Sequence, residues 1–268
     1  MVLAGSSGWN RKASSMIYKI IGTGSSGNAL LLENGILVDC GVPYKDIKDE
    51  VIGLVLLTHR HSDHFRVATI KKLAKDHPMI RFAVPEYLAQ DLVEKCLVDT
   101  RRIDIIQRGE KYDYGLATIM SYPLVHDVDN VGWWLEINGQ TAVYITDTGT
   151  VDHLSYKELE QADYYFLEAN YEDDEIDQRI EKKLQAGDFA YEARVKETHL
   201  SLKQAQDFIA WYAAPDSKVI WIHQHKDKEE KKKIEEPPEA KLKGLLQPVD
   251  ANGNIVAGGE NERMDKTT

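Results

Sequence analysis

Apolar and polar positions along this chain follow one plan twice. Residues 28–41, Asn-Ala-Leu-Leu-Leu-Glu-Asn-Gly-Ile-Leu-Val-Asp-Cys-Gly, hold two β-like runs joined by Asn34-Gly35. Residues 132–149 repeat the plan, with runs on either side of Asn138-Gly139 and a close at Asp147-Thr148-Gly149. Asn-Gly between such runs predicts a hairpin, because both turn residues must take positive φ. Each hairpin ends in an Asp followed by Gly, so two halves built alike predict a two-sheet sandwich whose strands end on one rim. Further strands are predicted at residues 54–57, at 80–85, at 117–122 before a break at Pro123, and at Lys218–Ile222. Residues 67–75 and 86–96 place apolar side chains three and four apart, the helical spacing. Ser201-Leu-Lys-Gln204 reads as a capping box, after which Leu202, Ala205, Ile209 and Tyr212 line one helix face. Pattern alone therefore gives a mixed α and β domain.

The apolar run Leu54-Val55-Leu56-Leu57 leads directly into Thr58-His59-Arg60-His61-Ser62-Asp63-His64. Three imidazoles and a carboxylate within six residues form a ligand set for divalent metals, zinc first, with manganese and iron also suited. An extended segment turns His59 and His61 to the same side. A tight turn then carries Asp63 and His64 to a second point, so one segment can serve two cations. These four residues cannot complete two coordination spheres, so other strand ends must contribute. His126 follows the strand ending at Pro123, Asp147 ends the second hairpin, and His223 ends the last strand. His225, two residues further on, faces the same way as His223 and competes with it for the last ligand position.

Bulk properties narrow the setting. The chain has 268 residues, 43% of them hydrophobic, enough for one full core of 16–227. Residues 1–15 read as a leader or tag. The charged segment 228–268 is too poor in apolar residues to order itself and is expected to be disordered or loosely packed. No apolar run reaches 18 residues and no signal peptide opens the chain, so no membrane partner is expected. Cys40 and Cys96 stand far apart, which fits a reducing compartment, the cytoplasm. Net charge is −11; residues 226–268 hold 9 basic and 10 acidic side chains, leaving 24 and 34 in the first 225. Such an acidic body argues against coating long duplexes, which needs many Lys and Arg, but not against binding a strand end or a small nucleotide. The acidic run at residues 172–177 reads as a solvated helix start, with its acids at the positive end of the dipole. His77 and His153 read as surface residues.

With its His-x-His-x-Asp-His segment, the chain resembles the metallo-β-lactamase-fold hydrolases over residues 16–225. Within them it is most similar to the small single-domain YycJ/WalJ-type exonuclease branch. The branch likeness is carried by Gly22-Thr-Gly-Ser-Ser-Gly-Asn28, Leu37-Val-Asp-Cys-Gly41, Ile145-Thr-Asp-Thr-Gly149, Leu167-Glu-Ala-Asn170 and Thr198-His-Leu-Ser201. The resemblance implies a four-layer αββα sandwich and two divalent metal ions per chain, Zn2+ or Mn2+, with Fe also allowed. One metal would take His59, His61 and His126. The other would take Asp63, His64 and His223, with Asp147 and a hydroxide bridging the pair. His199 would protonate the leaving oxygen, joining Asp63 and Asp147 among the catalytic groups. Asp39 would hydrogen-bond a ligand His from behind, with Glu168 and Asn170 as weaker supports and Cys40 without a role. The activity implied is phosphodiester hydrolysis at DNA or RNA strand ends; the alternative is a phosphodiesterase of small cyclic nucleotides. A non-catalytic binding protein on the same fold ranks lower, because no ligand position is missing. A homodimer is compatible with all of this.

Overall fold

Strand β4 (Leu54–Leu56) shows how the layers form. Leu54 and Leu56 join one apolar cluster with the facing sheet, while Val55 and the following Leu57 join another beneath helices. Both faces are covered, which is why its sequence is a continuous apolar run rather than an alternation. The computed structural model describes residues 15–224. Residues 1–14 and 225–268 lie outside the described residues, and with them most of the expected leader, all of the expected tail, and His225.

The first sheet runs β1 (Tyr18–Gly22), β2 (Ala29–Leu32), β3 (Ile36–Val38), β4, β5 (Arg81–Val84) and β6 (Ile103–Ile105), in that spatial order. The first three are antiparallel neighbours and the rest are parallel. The second sheet repeats the design with β7 (Lys111–Asp113), β8 (Thr118–Leu124), β9 (Asn130–Ile137), β10 (Gln140–Ile145), β11 (Tyr164–Glu168) and β12 (Lys218–Ile222). Its meander β7 to β10 is antiparallel, and β10, β11 and β12 are parallel. The two Asn-Gly turns sit where expected, with positive φ at Asn34 and Gly35 and again at Asn138 and Gly139. Between the sheets, Leu30, Val38, Leu54 and Leu56 meet Trp133, Leu135, Tyr144 and Phe166. Burying each such side chain contributes about 1.5–3 kcal/mol.

Helices α1 (Val67–Asp76) and α2 (Glu86–Glu94) cover the outer face of the first sheet through Ile70, Leu73, Leu88 and Leu92. In the β11-to-β12 crossover lie α3 (Asp173–Gln185), α4 (Glu192–Thr198) and α5 (Leu202–Tyr212). Phe208 of α5 packs edge-on against Tyr165 of β11, closing the fourth layer. The capping box at Ser201 and Gln204 is present. The acidic run does open a helix, with Asp173, Asp174 and Glu175 in the first turn of α3 and Lys182 and Lys183 in its last.

One local expectation is corrected. Pro123 does not break its strand, for β8 continues to Leu124 and Pro123 pairs with Val131. Its carbonyl accepts from His153 Nε2, so this residue's hydrogen-bonding edge points away from β9, to the side where β7 has already ended at its pairing with Met120. A missing N–H costs nothing on that edge.

Candidate metal centre

Six strand ends converge at one rim. Asp39 follows β3, His59 follows β4, His126 follows β8, Asp147 follows β10, Glu168 ends β11 and His223 follows β12. Parallel neighbours bring their carboxyl ends to the same level by register: Val38 pairs with Leu56, Ile145 with Leu167, and Glu168 with Ile222. Asp39, Asp147 and His223 all turn there with positive φ, at 61°, 55° and 51°. That left-handed conformation is uncommon for residues other than Gly, and its recurrence at one rim marks where the fold holds strain to aim side chains.

The floor of the site is fully buried. Asp39 Oδ1 accepts from the Thr58 amide and hydroxyl, both at 2.9 Å, and Oδ2 accepts from His64 Nδ1 at 2.6 Å. Because the Thr58 hydroxyl gives its proton to Asp39, it accepts from His59 Nδ1 at 3.0 Å. This leaves His59 Nε2 with a bare lone pair facing the site. Asp39 thus orients two histidines, one directly and one through Thr58. On the other side, Glu168 Oε1 accepts from His223 Nδ1 at 3.0 Å and from His199 Nδ1 at 2.5 Å. Asp147 lies in the middle, with Oδ2 at 2.8 Å from His64 Nε2 and Oδ1 at 3.4 Å from both His199 Nδ1 and His223 Nδ1.

The rim is more open. His61 turns back beside His59, with ring centres 4.8 Å apart, and its Nδ1 lies 3.3 Å from His126 Nε2. Asp127 Oδ1 approaches both rings, at 3.3 and 3.2 Å, while its other oxygen is held by Arg194 of α4. His126 Nδ1 donates to the Thr198 carbonyl at 3.0 Å. Two glycines allow these segments to meet. A Cβ on Gly41 would stand 1.7 Å from the Asp63 carbonyl oxygen, and one on Gly149 would stand 2.0 Å from that of Glu197, two residues before His199.

Turn hydrogen bonds from the His64 and Phe65 amides to the His61 carbonyl carry Asp63 and His64 to their own corner. Asp63 Oδ2 lies 3.8 Å from both His64 Nε2 and His223 Nε2. Ligand atoms of His59, His61 and His126 lie within 4.8 Å of one another, as do those of Asp63, His64 and His223. Those of His59, His64 and Asp147 do so too, as do those of Asp147, Glu168, His199 and His223. All eight residues expected from the sequence are therefore gathered in one place.

These residues fit divalent cations. Among the described residues, His59 Nε2 and His223 Nε2 are buried with no hydrogen-bond partner, a condition that costs about 1–3 kcal/mol for each polar atom left so. Burial, helped by His64, drives the His59 ring well below its ordinary value, keeping it neutral as a ligand must be. Burial opposes charge on His64 as well, but Asp147 and Asp39 outweigh it and hold that ring up at about 10. Burial likewise disfavours charge on Asp147, yet His223 and His64 hold it well below the carboxylate range. Protons on imidazoles thus balance the buried carboxylates, and cations would replace them.

Asp127 was not foreseen, nor were the Thr58 relay from Asp39 and the double grip of Glu168. Cys40 is buried and desolvation raises its thiol, so it stays neutral and inert. His153 is exposed, and His77 is partly exposed at the end of α1.

A sequence model of the β-lactamase superfamily domain matches residues 36–227. Exodeoxyribonuclease WalJ of Streptococcus pneumoniae is 31% identical over 199 residues, covering 69% of this chain and 70% of that protein. Among solved structures, the metallo-β-lactamase fold protein YhfI of Bacillus subtilis superposes with a TM-score of 0.62 at 18% identity, covering 79% of this chain and 87% of that one. The short form of human tRNase Z superposes at 0.58 and 17% identity, covering 78% and 92%. At such identities the two structures speak for the fold.

Proposed function

This chain belongs to the β-lactamase superfamily, and from that premise we propose that it is a binuclear, metal-dependent phosphodiesterase acting on nucleic-acid strand ends. It is a hydrolase of that superfamily. The observation that carries the proposal is the place of Asp147, which shares a ligand cluster with His59 and His64 on one side and with His223, His199 and Glu168 on the other. His59, His61 and His126 would hold one cation, and Asp63, His64 and His223 the other, with Asp147 common to both. Cations bound there, Zn2+ or Mn2+, would polarise the scissile phosphate and supply an ionised water at neutral pH.

His199 has a different task. Glu168 and Asp147 face its Nδ1, which fixes the ring and leaves Nε2 to present a proton to the leaving oxygen. Burial lowers its affinity for a proton, but Glu168 outweighs burial and raises it, which favours the protonated ring that a proton donor needs. An exonuclease relative supports a strand end as substrate. The net acidity of the first 225 residues favours a second reading, a small nucleotide with few phosphates.

Elemental analysis and end-labelled oligonucleotides test the proposal together. About two divalent ions per chain are expected, with linear DNA or RNA shortened from its ends and closed circles resistant. Hydrolysis of cyclic nucleotides with no action on linear strands would favour the second reading. A protein without bound metal, inactive even with added zinc or manganese, would sink both.

A further inference from the structure

Eight arginines lie among the described residues, and most are engaged. Arg81, Arg101, Arg179 and Arg194 pair with carboxylates, and Arg102 donates to three carbonyl oxygens. Arg60, Arg66 and Arg108 are exposed and have no carboxylate partner among the described residues, and two of these, Arg60 and Arg108, come together. They lie 48 positions apart in sequence yet line the same cavity, of about 450 Å³, with His126, Asp127 and Asp129. Arg60 stands between His59 and His61, so the alternation of an extended chain sends it away from the metal side. Its Nη2 donates to the Tyr87 carbonyl at 3.2 Å, which steadies the guanidinium at the cavity wall. Arg108 is fixed by a backbone bridge to Ser121 of β8 and also lines a second cavity with Pro85, Glu86, Tyr87 and Gln107.

In the cavity that the two arginines share, the charge balance is local and positive. Asp127 is already spent on Arg194, His61 and His126, which leaves Asp129 alone against two guanidinium groups. On a body with 24 basic and 34 acidic residues, such a spot beside a ligand-type histidine calls for an anion arriving with the substrate. Guanidinium forks match phosphate oxygens in pairs, and a nucleic-acid strand carries one phosphate after another. We propose that Arg60 and Arg108 form a subsite for a second phosphate of the strand, next to the one hydrolysed. This rests on the phosphodiesterase reading and narrows it, since a cyclic mononucleotide has no second phosphate to offer.

The test compares the double variant Arg60→Ala/Arg108→Ala with wild type on a short oligonucleotide and on bis-p-nitrophenyl phosphate, which has a single phosphate. For the oligonucleotide, KM should rise about 10- to 100-fold, the range for losing hydrogen bonds to a charged group. The loss on bis-p-nitrophenyl phosphate should be at least about tenfold smaller. The slope of log affinity against log salt should fall by about 0.7, the value for one single-strand phosphate contact. An unchanged salt slope and KM, or equal losses on both substrates, would overturn the subsite. Wild type inactive on every strand would instead refute the nuclease reading. Fluorescence anisotropy with the same oligonucleotide would still decide the subsite, because equal affinity in wild type and variant would refute it.

Discussion

The floor and the rim of the metal centre are built differently. On the floor, His59, His64 and His223 are buried and each is pinned through Nδ1 to a fully buried support: His59 by way of Thr58 to Asp39, His64 directly to Asp39, and His223 to Glu168. On the rim, the His61 side chain is 36% exposed, and it and His126 lean on Asp127, whose partner Arg194 is 69% exposed. The floor's supports come from strand ends locked by register. The rim's support, Asp127, sits in the loop between β8 and β9 and is held by Arg194 of α4, within the β11-to-β12 crossover. A buried carboxylate holds its histidine against little competition from water, whereas an exposed pair is screened and worth about 0–1 kcal/mol. On the proposed function both would supply ligands, the floor holding its histidines rigidly, while the rim, where the arginine-lined cavity opens, would also meet substrate.

Removing the group common to both ligand sets should do most. Asp147→Ala should lower metal content and cut turnover on the order of 10⁴-fold, since metal stabilisation supplies several kcal/mol and each 1.36 is tenfold. Normal metal content with normal turnover would show that Asp147 joins nothing. His199→Ala should come next: both metals kept, but turnover down about 10³-fold on substrates with a poor leaving group. An activated p-nitrophenolate needs no proton and should lose far less. Equal losses on both leaving groups would remove His199 from the role of acid.

The supports sharpen the contrast directly. Asp39→Asn should weaken metal affinity about 10- to 100-fold, the usual range for a carboxylate behind a ligand histidine. Asp127→Asn should cost only a few-fold, and the difference from wild type should shrink as salt rises, because its partner is exposed. Metal titrations of both variants at low and high salt would show it. Equal, salt-independent effects would mean that floor and rim are held alike.

The floor was legible in the sequence and the rim only in part, for a physical reason. His59 to His64, Asp147 and His223 each end an apolar run, and a strand end is a position that periodicity fixes. Asp39 was placed behind a ligand by the family resemblance, its hairpin giving only its position at the rim. Asp127 joins His61 to Arg194, which lies 67 residues beyond it, and no local pattern announces a meeting across such distances. Arg60 was visible within the motif, but its companion Arg108 becomes one only when β6, β7 and β8 fold around the cavity. The run to Leu124 was missed because Pro123 reads as a breaker until its edge is known to be free. Glu168 was expected only as a weaker support; its grip on His223 follows from the parallel register of β11 and β12, and its grip on His199 from the Asn170 amide donating to the Leu200 carbonyl beside it.

The smallest expected effect lies just past the floor, and it decides a choice that residue spacing left open. His223 and His225 are both positioned to serve by alternation, and His225 lies outside the described residues. Everything around His223 restrains it. Its amide donates to Thr23 Oγ1 at 2.7 Å, its carbonyl accepts from Asn170 Nδ2 at 2.9 Å, and its ring is fixed on Glu168. The positive φ breaks the alternation of β12 at this residue, so the argument that His223 and His225 face alike fails here. A ring so held, with Nε2 buried and partnerless, is the one a cation would complete. His225→Ala should therefore leave bound metal near two ions per chain, within error of wild type, while His223→Ala should lower it toward one. Inductively coupled plasma measurements on dialysed full-length variants would read the difference. The opposite pattern would move the ligand to His225 and imply that the turn at His223 opens when metal binds.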